Sequence, residues 1–432
     1  MKILIKNGRV IDPANNRDEV GDVLTQNSTI ARVSKGINIE ADCTIDAAGK
    51  IVMPGIIDMH VHLREPGRED KETVASGTRA GLKGGVTSIL AMPNTLPAID
   101  SAENIKLLKG IIKNSASVNV LIAAAITKAR AGVELTDIAK LKEEGVIAVT
   151  DDGSSVDSEH LMQEAFKAAE RAGVLVICHS EDKRLSNHGV VNLGLTSTRM
   201  GLRGISKESE YTRVERDIGL AEKTGAHVHI AHVSCKESVE IIACAKKKGV
   251  KVTCETAPHY FSLTEEAVLG YDTNMKMNPP LRSRQDLAGI RQGLADGTID
   301  AIASDHAPHT ENEKDIEFER AEFGVIGLET ILAASITEFI ESGLLTWPEL
   351  VRKLTVNPAR ILGIRKGALS AGADADLIVV NPDEPWVVDK KSFVSKSKNS
   401  AFLGRPFKGQ VEHTICSGKV AYPFRNNCKT KD

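Results

Sequence analysis

The stretch from Ile51 to Gly67, IVMPGIIDMHVHLREPG, decides how the rest of the chain reads. A run of apolar residues ends in two histidines, His60 and His62, with Arg64 two positions on. In an extended chain, residues i and i+2 point to the same side. One strand end can therefore present both imidazoles to one ion. A buried strand that finishes in His-Val-His-Leu-Arg is delivering polar groups to a site.

Similar runs recur outward from this one, at 87–91, 118–126, 146–150, 174–178, 227–231, 251–255 and 299–304. With 51–59 they make eight. Between most of them lie stretches of helical period, such as SAENIKLLKGIIKN and SEHLMQEAFKAAERAG. Strands alternating with helices imply parallel βα units. Eight such units within residues 51–365 predict an α/β fold, a (β/α)8 TIM barrel. A doubly wound open sheet fits less well, because no Gly-rich dinucleotide fingerprint follows the first strand. The ends of the chain differ from the middle. Residues 1–50 and 366–423 carry short strand patterns, and they predict one small β-sandwich-like domain assembled from both termini. Residues 424–432, FRNNCKTKD, read as a polar tail.

Composition narrows the function classes. Of 432 residues, 41% are hydrophobic and 26% charged, as in an ordinary soluble globular protein. A formal net charge of −3 and 3% aromatics give no electrostatic footing or stacking platform for nucleic acid. No run approaches the ~18 apolar residues of a membrane span. The seven cysteines are odd in number and lack CxxC spacing. They read as free, mostly buried thiols in a reducing compartment, and the expectation is a cytoplasmic protein.

In a (β/α)8 barrel the chemistry sits at the C-terminal ends of the strands. The first run ends in His60 and His62, the fifth in His179 and the sixth in His232. The fourth ends in Asp151-Asp152, the eighth in Asp305. A single histidine at a strand end is commonly structural polarity. Four histidines and an aspartate at the same end of different strands need a common cause, and a metal site supplies one. Imidazoles with carboxylates suit Zn²⁺. Five or six ligands exceed one tetrahedral ion and point to two ions sharing a bridging group and a bridging hydroxide, a nucleophile available at neutral pH. His60, His62 and Asp305 would serve one ion, His179 and His232 the other. A strand-4 carboxylate would bridge them. Asp151 and Asp152 point to opposite sides, so one of the two can do it, and spacing leaves the choice open.

This order of ligands resembles the amidohydrolase superfamily. Within it, His60-Val61-His62-Leu63-Arg64-Glu65-Pro66-Gly67 and Ala303-Ser304-Asp305-His306-Ala307-Pro308-His309, followed by Lys314, resemble the two signatures of the dihydroorotase family. The resemblance covers essentially the whole chain. It implies zinc-dependent, reversible hydrolysis of the cyclic amide of (S)-dihydroorotate to N-carbamoyl-L-aspartate, with two zinc ions per chain or one. It implies Asp152 as the bridging ligand and Asp305 as the group that moves the proton. It further implies Arg64, Asn94 and His309 as contacts to the substrate carboxylate. Asn278, Phe323 and Gly324 follow as ring contacts. Relatives such as hydantoinases and allantoinases, the alternative reading, carry a carboxylated lysine at strand 4, where VIAVTDDG has none. Some similar chains serve as non-catalytic partners of aspartate transcarbamoylase. Since every ligand position is kept here, an active enzyme is expected, as a homodimer and with that association open to it. The acidic stretch 310–322 reads as a solvated loop at the barrel mouth. His306 has no assigned role, while His227, His229 and His259 read as structural.

Overall fold

The computed structural model describes residues 1–424. Eight parallel strands follow one another around a single sheet: Ile56–Val61, Val86–Ala91, Asn119–Ala124, Ala148–Val149, Leu175–Cys178, Val228–Ile230, Val252–Thr256 and Ala301–Ile302. The first and last are joined by a parallel bridge between Val61 and His306 and by a 2.9 Å bond from His62 N to His306 O. The sheet is thereby nearly closed into a barrel. Every residue of Ile56–Val61 and Val86–Ala91 is buried, as expected of strands covered on both faces. Ile57, Met59, Leu90, Ala123, Ala148, Ile177 and Ala301, from seven different sequence positions around the sheet, pack into one buried cluster. The barrel interior is therefore a packed core.

The helices between strands form for local reasons. Ser158 caps Glu159–Ala172 by accepting from Leu161 N, and Gly173 ends it at φ 63. Met162, Ala165, Phe166 and Ala169 give that helix one apolar stripe against the barrel.

Both ends of the chain build the second sheet. Lys2–Asp12, Arg17–Gln26, Thr29–Ser34, Cys43–Asp46 and Ile51–Pro54 come from the N-terminal side. Leu377–Val387, Pro406–Cys416 and Lys419–Tyr422 come from the C-terminal side. The seam is antiparallel, with Leu377 opposite Pro54 and Val380 opposite Ile51. The run 51–59 is thus two strands, where the sequence reads as one. The break falls at Gly55, where a Cβ would lie 2.2 Å from Thr87 Oγ1. The chain turns there from the terminal sheet into the barrel, and its first four residues leave the barrel's count.

Among the described residues five cysteines are free, with Cys178, Cys235, Cys254 and Cys416 buried and Cys244 exposed. Cys43, in the terminal sheet, is disulfide-bonded, which corrects the expectation of thiols throughout. No helix among the described residues is long and apolar enough to cross a membrane. The expected polar tail lies outside the described residues beyond Phe424.

Candidate active site

Six side chains expected as ligands meet at one end of the barrel, and all six are buried. His60 Nε2 lies 3.3 Å from Asp152 Oδ1 and 3.6 Å from Asp305 Oδ1. His62 Nε2 lies 3.4 Å from both Asp152 Oδ2 and Asp305 Oδ1. His232 Nε2 is 3.4 Å from Asp152 Oδ1, and His179 Nδ1 is 2.8 Å from His232 Nε2. Donor atoms of His60, Asp152 and His232 fall within 4.8 Å of one another, as do those of His60, His62 and Asp305. His60 Nε2 is buried and has no hydrogen-bond partner among the described residues. An unpartnered ring nitrogen among carboxylates, beside three further imidazoles, fits a divalent metal ion.

The strand-4 alternation separates the two aspartates. Asp152 faces the cluster. Asp151 turns away and accepts from Ile126 N at 2.8 Å, from Thr127 N at 3.0 Å and from the Thr127 hydroxyl. Arg64 at φ 62, Arg130 at φ 57, His232 at φ 36 and Asp305 at φ 47, all at the mouth, hold left-handed backbones. Side chains rarely adopt this conformation, and the surrounding packing must hold it.

Neighbouring acceptors set the rings. Glu255 Oε1 is 2.7 Å from His60 Nδ1, and Asn94 Oδ1 is 2.7 Å from His62 Nδ1. Each acceptor draws the proton to Nδ1 and leaves Nε2 bare toward the cluster. Burial would raise the Asp305 carboxyl, but the His62 hydrogen bond and the charges of His60 and His232 hold it well below the usual carboxylate range.

A cavity of about 270 Å³ opens over the cluster, and Arg64, Asn94, Asn278, His309, Phe323 and Gly324 all line it. Arg64 Nε donates to Pro308 O at 3.2 Å. Burial pulls its guanidinium down to about 10, so it stays charged at neutral pH. His309 Nδ1 accepts from Lys71 Nζ at 3.1 Å, and its Nε2 donates to Phe323 O at 2.8 Å. Burial and the charges of Arg64 and Lys71 push His309 down to about 2, so its ring is neutral. Gly324 sits at φ 133, where a Cβ would lie 2.7 Å from Ala307 Cβ. Asn278 Nδ2 donates to Glu181 Oε2 at 3.1 Å, and Glu181 Oε2 is also 3.3 Å from His179 Nε2.

The stretch 310–322 is more than a solvated loop. Lys314, Phe318 and Ala321 are buried. Lys314 Nζ donates to Glu322 O at 2.8 Å and Gly324 O at 3.0 Å, pinning the segment that forms the cavity wall. His306 is structural: Nδ1 accepts from Gly327 N at 3.2 Å, and Nε2 lies 3.3 Å from Glu72 Oε2. His227 and His229 both bond Thr253 Oγ1 at 2.9 Å. His259 packs edge-on against Tyr260 and lies outside the cavity wall.

Comparison with known proteins identifies the family of the chain. A model of the Dihydro-orotase-like family matches residues 49–238, and one of the Amidohydrolase family matches 330–422. A dihydroorotase of Elusimicrobium minutum is 51% identical over 97% of this chain and 97% of its own length. One of Geobacter metallireducens is 50% identical over 98% of this chain and 100% of its own. The chain belongs to the dihydroorotase family. Among solved structures, an L-hydantoinase (dihydropyrimidinase) from Arthrobacter aurescens superposes with a TM-score of 0.87 at 26% identity, covering 97% of this chain and 95% of that one.

Two residues of this dihydroorotase-family site escaped the sequence reading. Glu255 is the penultimate residue of the seventh strand, and Arg130 lies six residues beyond the third. Glu255 holds His60, and its Oε2 lies 3.4 Å from His229 Nε2. Arg130 lines the cavity. The first polar residues beyond those strands are His259 and Thr127, so neither residue stands out by its place in the sequence.

Proposed function

We propose that the chain catalyses the reversible hydrolysis of the cyclic amide of (S)-dihydroorotate to N-carbamoyl-L-aspartate. The observation that carries this is the placement of Asp152, whose oxygens lie 3.3–3.6 Å from nitrogens of four histidines. It stands beside a whole-length likeness to dihydroorotases. Zinc suits the donor set, and His60, His62, Asp152, His179, His232 and Asp305 would hold two ions. Metal bound there supplies a hydroxide at neutral pH and a Lewis acid for the amide carbonyl. Asp305, kept ionised by the histidines around it, takes a proton from the attacking water and delivers it to the departing ring nitrogen. Arg64 offers a planar fork to the substrate carboxylate. Asn94 contacts the same carboxylate while its Oδ1 orients His62. The neutral His309 completes that pocket, and Asn278, Phe323 and Gly324 bound the ring.

The terminal sheet, residues 1–54 with 366–423, is a non-catalytic module in this reading, and 55–365 is the catalytic barrel. A cytoplasmic homodimer is the expected form, and aspartate transcarbamoylase a candidate partner. The test is metal content and dihydroorotate hydrolysis on one sample, before and after chelation and zinc repletion. Activity should track about two zinc ions per chain. Saturation at one ion would reduce the count, and bound metal without turnover would overturn the activity and direct the search to hydantoins.

A further inference from the structure

The terminal module reaches the barrel mouth through a short extended stretch. Between its strands Leu377–Val387 and Pro406–Cys416 runs Phe393-Val394-Ser395-Lys396-Ser397-Lys398-Asn399. Ser395, Ser397 and Asn399 are buried, while Lys396 is exposed and Lys398 partly so. Alternate residues of an extended segment face one way. Here the inward side chains are polar, because each meets a polar group at the mouth. Ser395 Oγ donates to Glu72 Oε2, and Ser397 Oγ donates to Lys71 O at 2.6 Å. The Asn399 amide makes three bonds. Its Oδ1 accepts from His309 N at 3.2 Å, and its Nδ2 donates to Ala307 O at 3.3 Å and to Gly324 O at 3.1 Å.

His309 depends on such a tie. It lines the site cavity and also, with Lys314 and Asn399, a second cavity of about 600 Å³. Open space offers no atoms to pack against, so hydrogen bonds must do much of the work of fixing this residue. Lys71 Nζ and Phe323 O hold its two ring nitrogens, and Asn399 holds its backbone. The neighbouring wall has other ties. Gly324 O also accepts from Lys314 Nζ at 3.0 Å, and Ala307 N donates to Val325 O at 2.8 Å. Loss of the Asn399 side chain therefore leaves that wall tied and frees the His309 backbone. We propose that Asn399 is a positioning residue for the substrate carboxylate, acting through His309. This rests on the dihydroorotase reading, in which His309 completes the carboxylate pocket. Asn399 forms no part of the site-cavity wall, so it reaches the substrate by way of the residue it holds.

A double-mutant cycle tests this with Asn399→Ala, His309→Ala and the two together. The readings are KM and kcat for dihydroorotate, and bound zinc. Asn399→Ala should raise KM about tenfold, with kcat within about threefold and zinc at the wild-type level. In the His309→Ala background the same substitution should change kcat/KM less than about twofold, because the residue it acts through is already gone. Asn399→Ser, whose shorter hydroxyl can keep one of the bonds, should lie between, and it takes the place of Asn399→Ala in the cycle if that variant does not fold. An unchanged KM, a fall in kcat as large as the rise in KM, additive effects in the cycle, or loss of zinc would overturn the proposal and leave Asn399 as a residue that holds the fold alone. A wild-type protein that turns over no dihydroorotate would instead overturn the activity reading, and this proposal with it.

Discussion

The barrel mouth and the terminal sheet use strand geometry in opposite ways. Pro406–Cys416 alternates between exposed and buried residues along its first half, and Ile415 near its end packs with Ile3, Ile5, Val23 and Val379. Its order comes from hiding carbon. At the barrel mouth the buried residues are imidazoles, carboxylates and guanidiniums. They are buried because each meets a partner or waits for one. The sheet is cohesive and the mouth is poised, and substitutions in the two regions should separate stability from chemistry.

The largest separation is expected at Asp305. Asp305→Asn should lower kcat by about 10²–10⁴-fold, with the urea unfolding midpoint little changed. A fall in stability to match would erase the contrast. The opposite case is Ile415, fully buried in the terminal sheet. Ile415→Ala should cost about 2–5 kcal/mol in denaturant unfolding, with kcat per folded molecule unchanged. Arg64→Ala should raise KM about 10–100-fold at constant zinc content. Unaltered Michaelis behaviour would remove Arg64 from the site. Glu255→Ala should weaken zinc binding about 10–100-fold in a chelator competition, because His60 loses the acceptor that fixes its tautomer. Undiminished zinc affinity would reduce Glu255 to a packing role. Smallest is Arg9→Ala on the sheet surface, whose solvent-exposed pair with Asp18 should contribute no more than about 1 kcal/mol.

Much of this was legible in the sequence because strand ends in a barrel point one way. His60 and His62 declared a site by their spacing alone, and the aligned ends of other strands enlarged it. Two aspartates in succession could not declare which faced inward. That choice depends on the loop around Thr127, whose backbone captures Asp151. Gly55 hid a change of sheet inside one apolar run, since sequence pattern carries no sign of Thr87 pressing against it. The stretch 310–322 looks solvated by composition, yet one lysine, Lys314, is turned inward to bind carbonyls. Charge counts do not record the direction of a side chain. Glu255 and Arg130 were visible as residue types, and only the barrel showed that their strands end at the same rim.

The antiparallel seam between Ile51–Pro54 and Leu377–Val387 has a consequence for biosynthesis. The N-terminal strands leave the ribosome first, but the strand that covers their open edge is made after the entire barrel. At ordinary elongation rates that delay is roughly 15 s to a minute. Throughout it, Ile51–Pro54 presents unpaired backbone groups to the cell. The nascent chain must keep that edge from other partners until its own far end arrives, so a ribosome stalled within the barrel leaves a product with one sheet half built and adhesive.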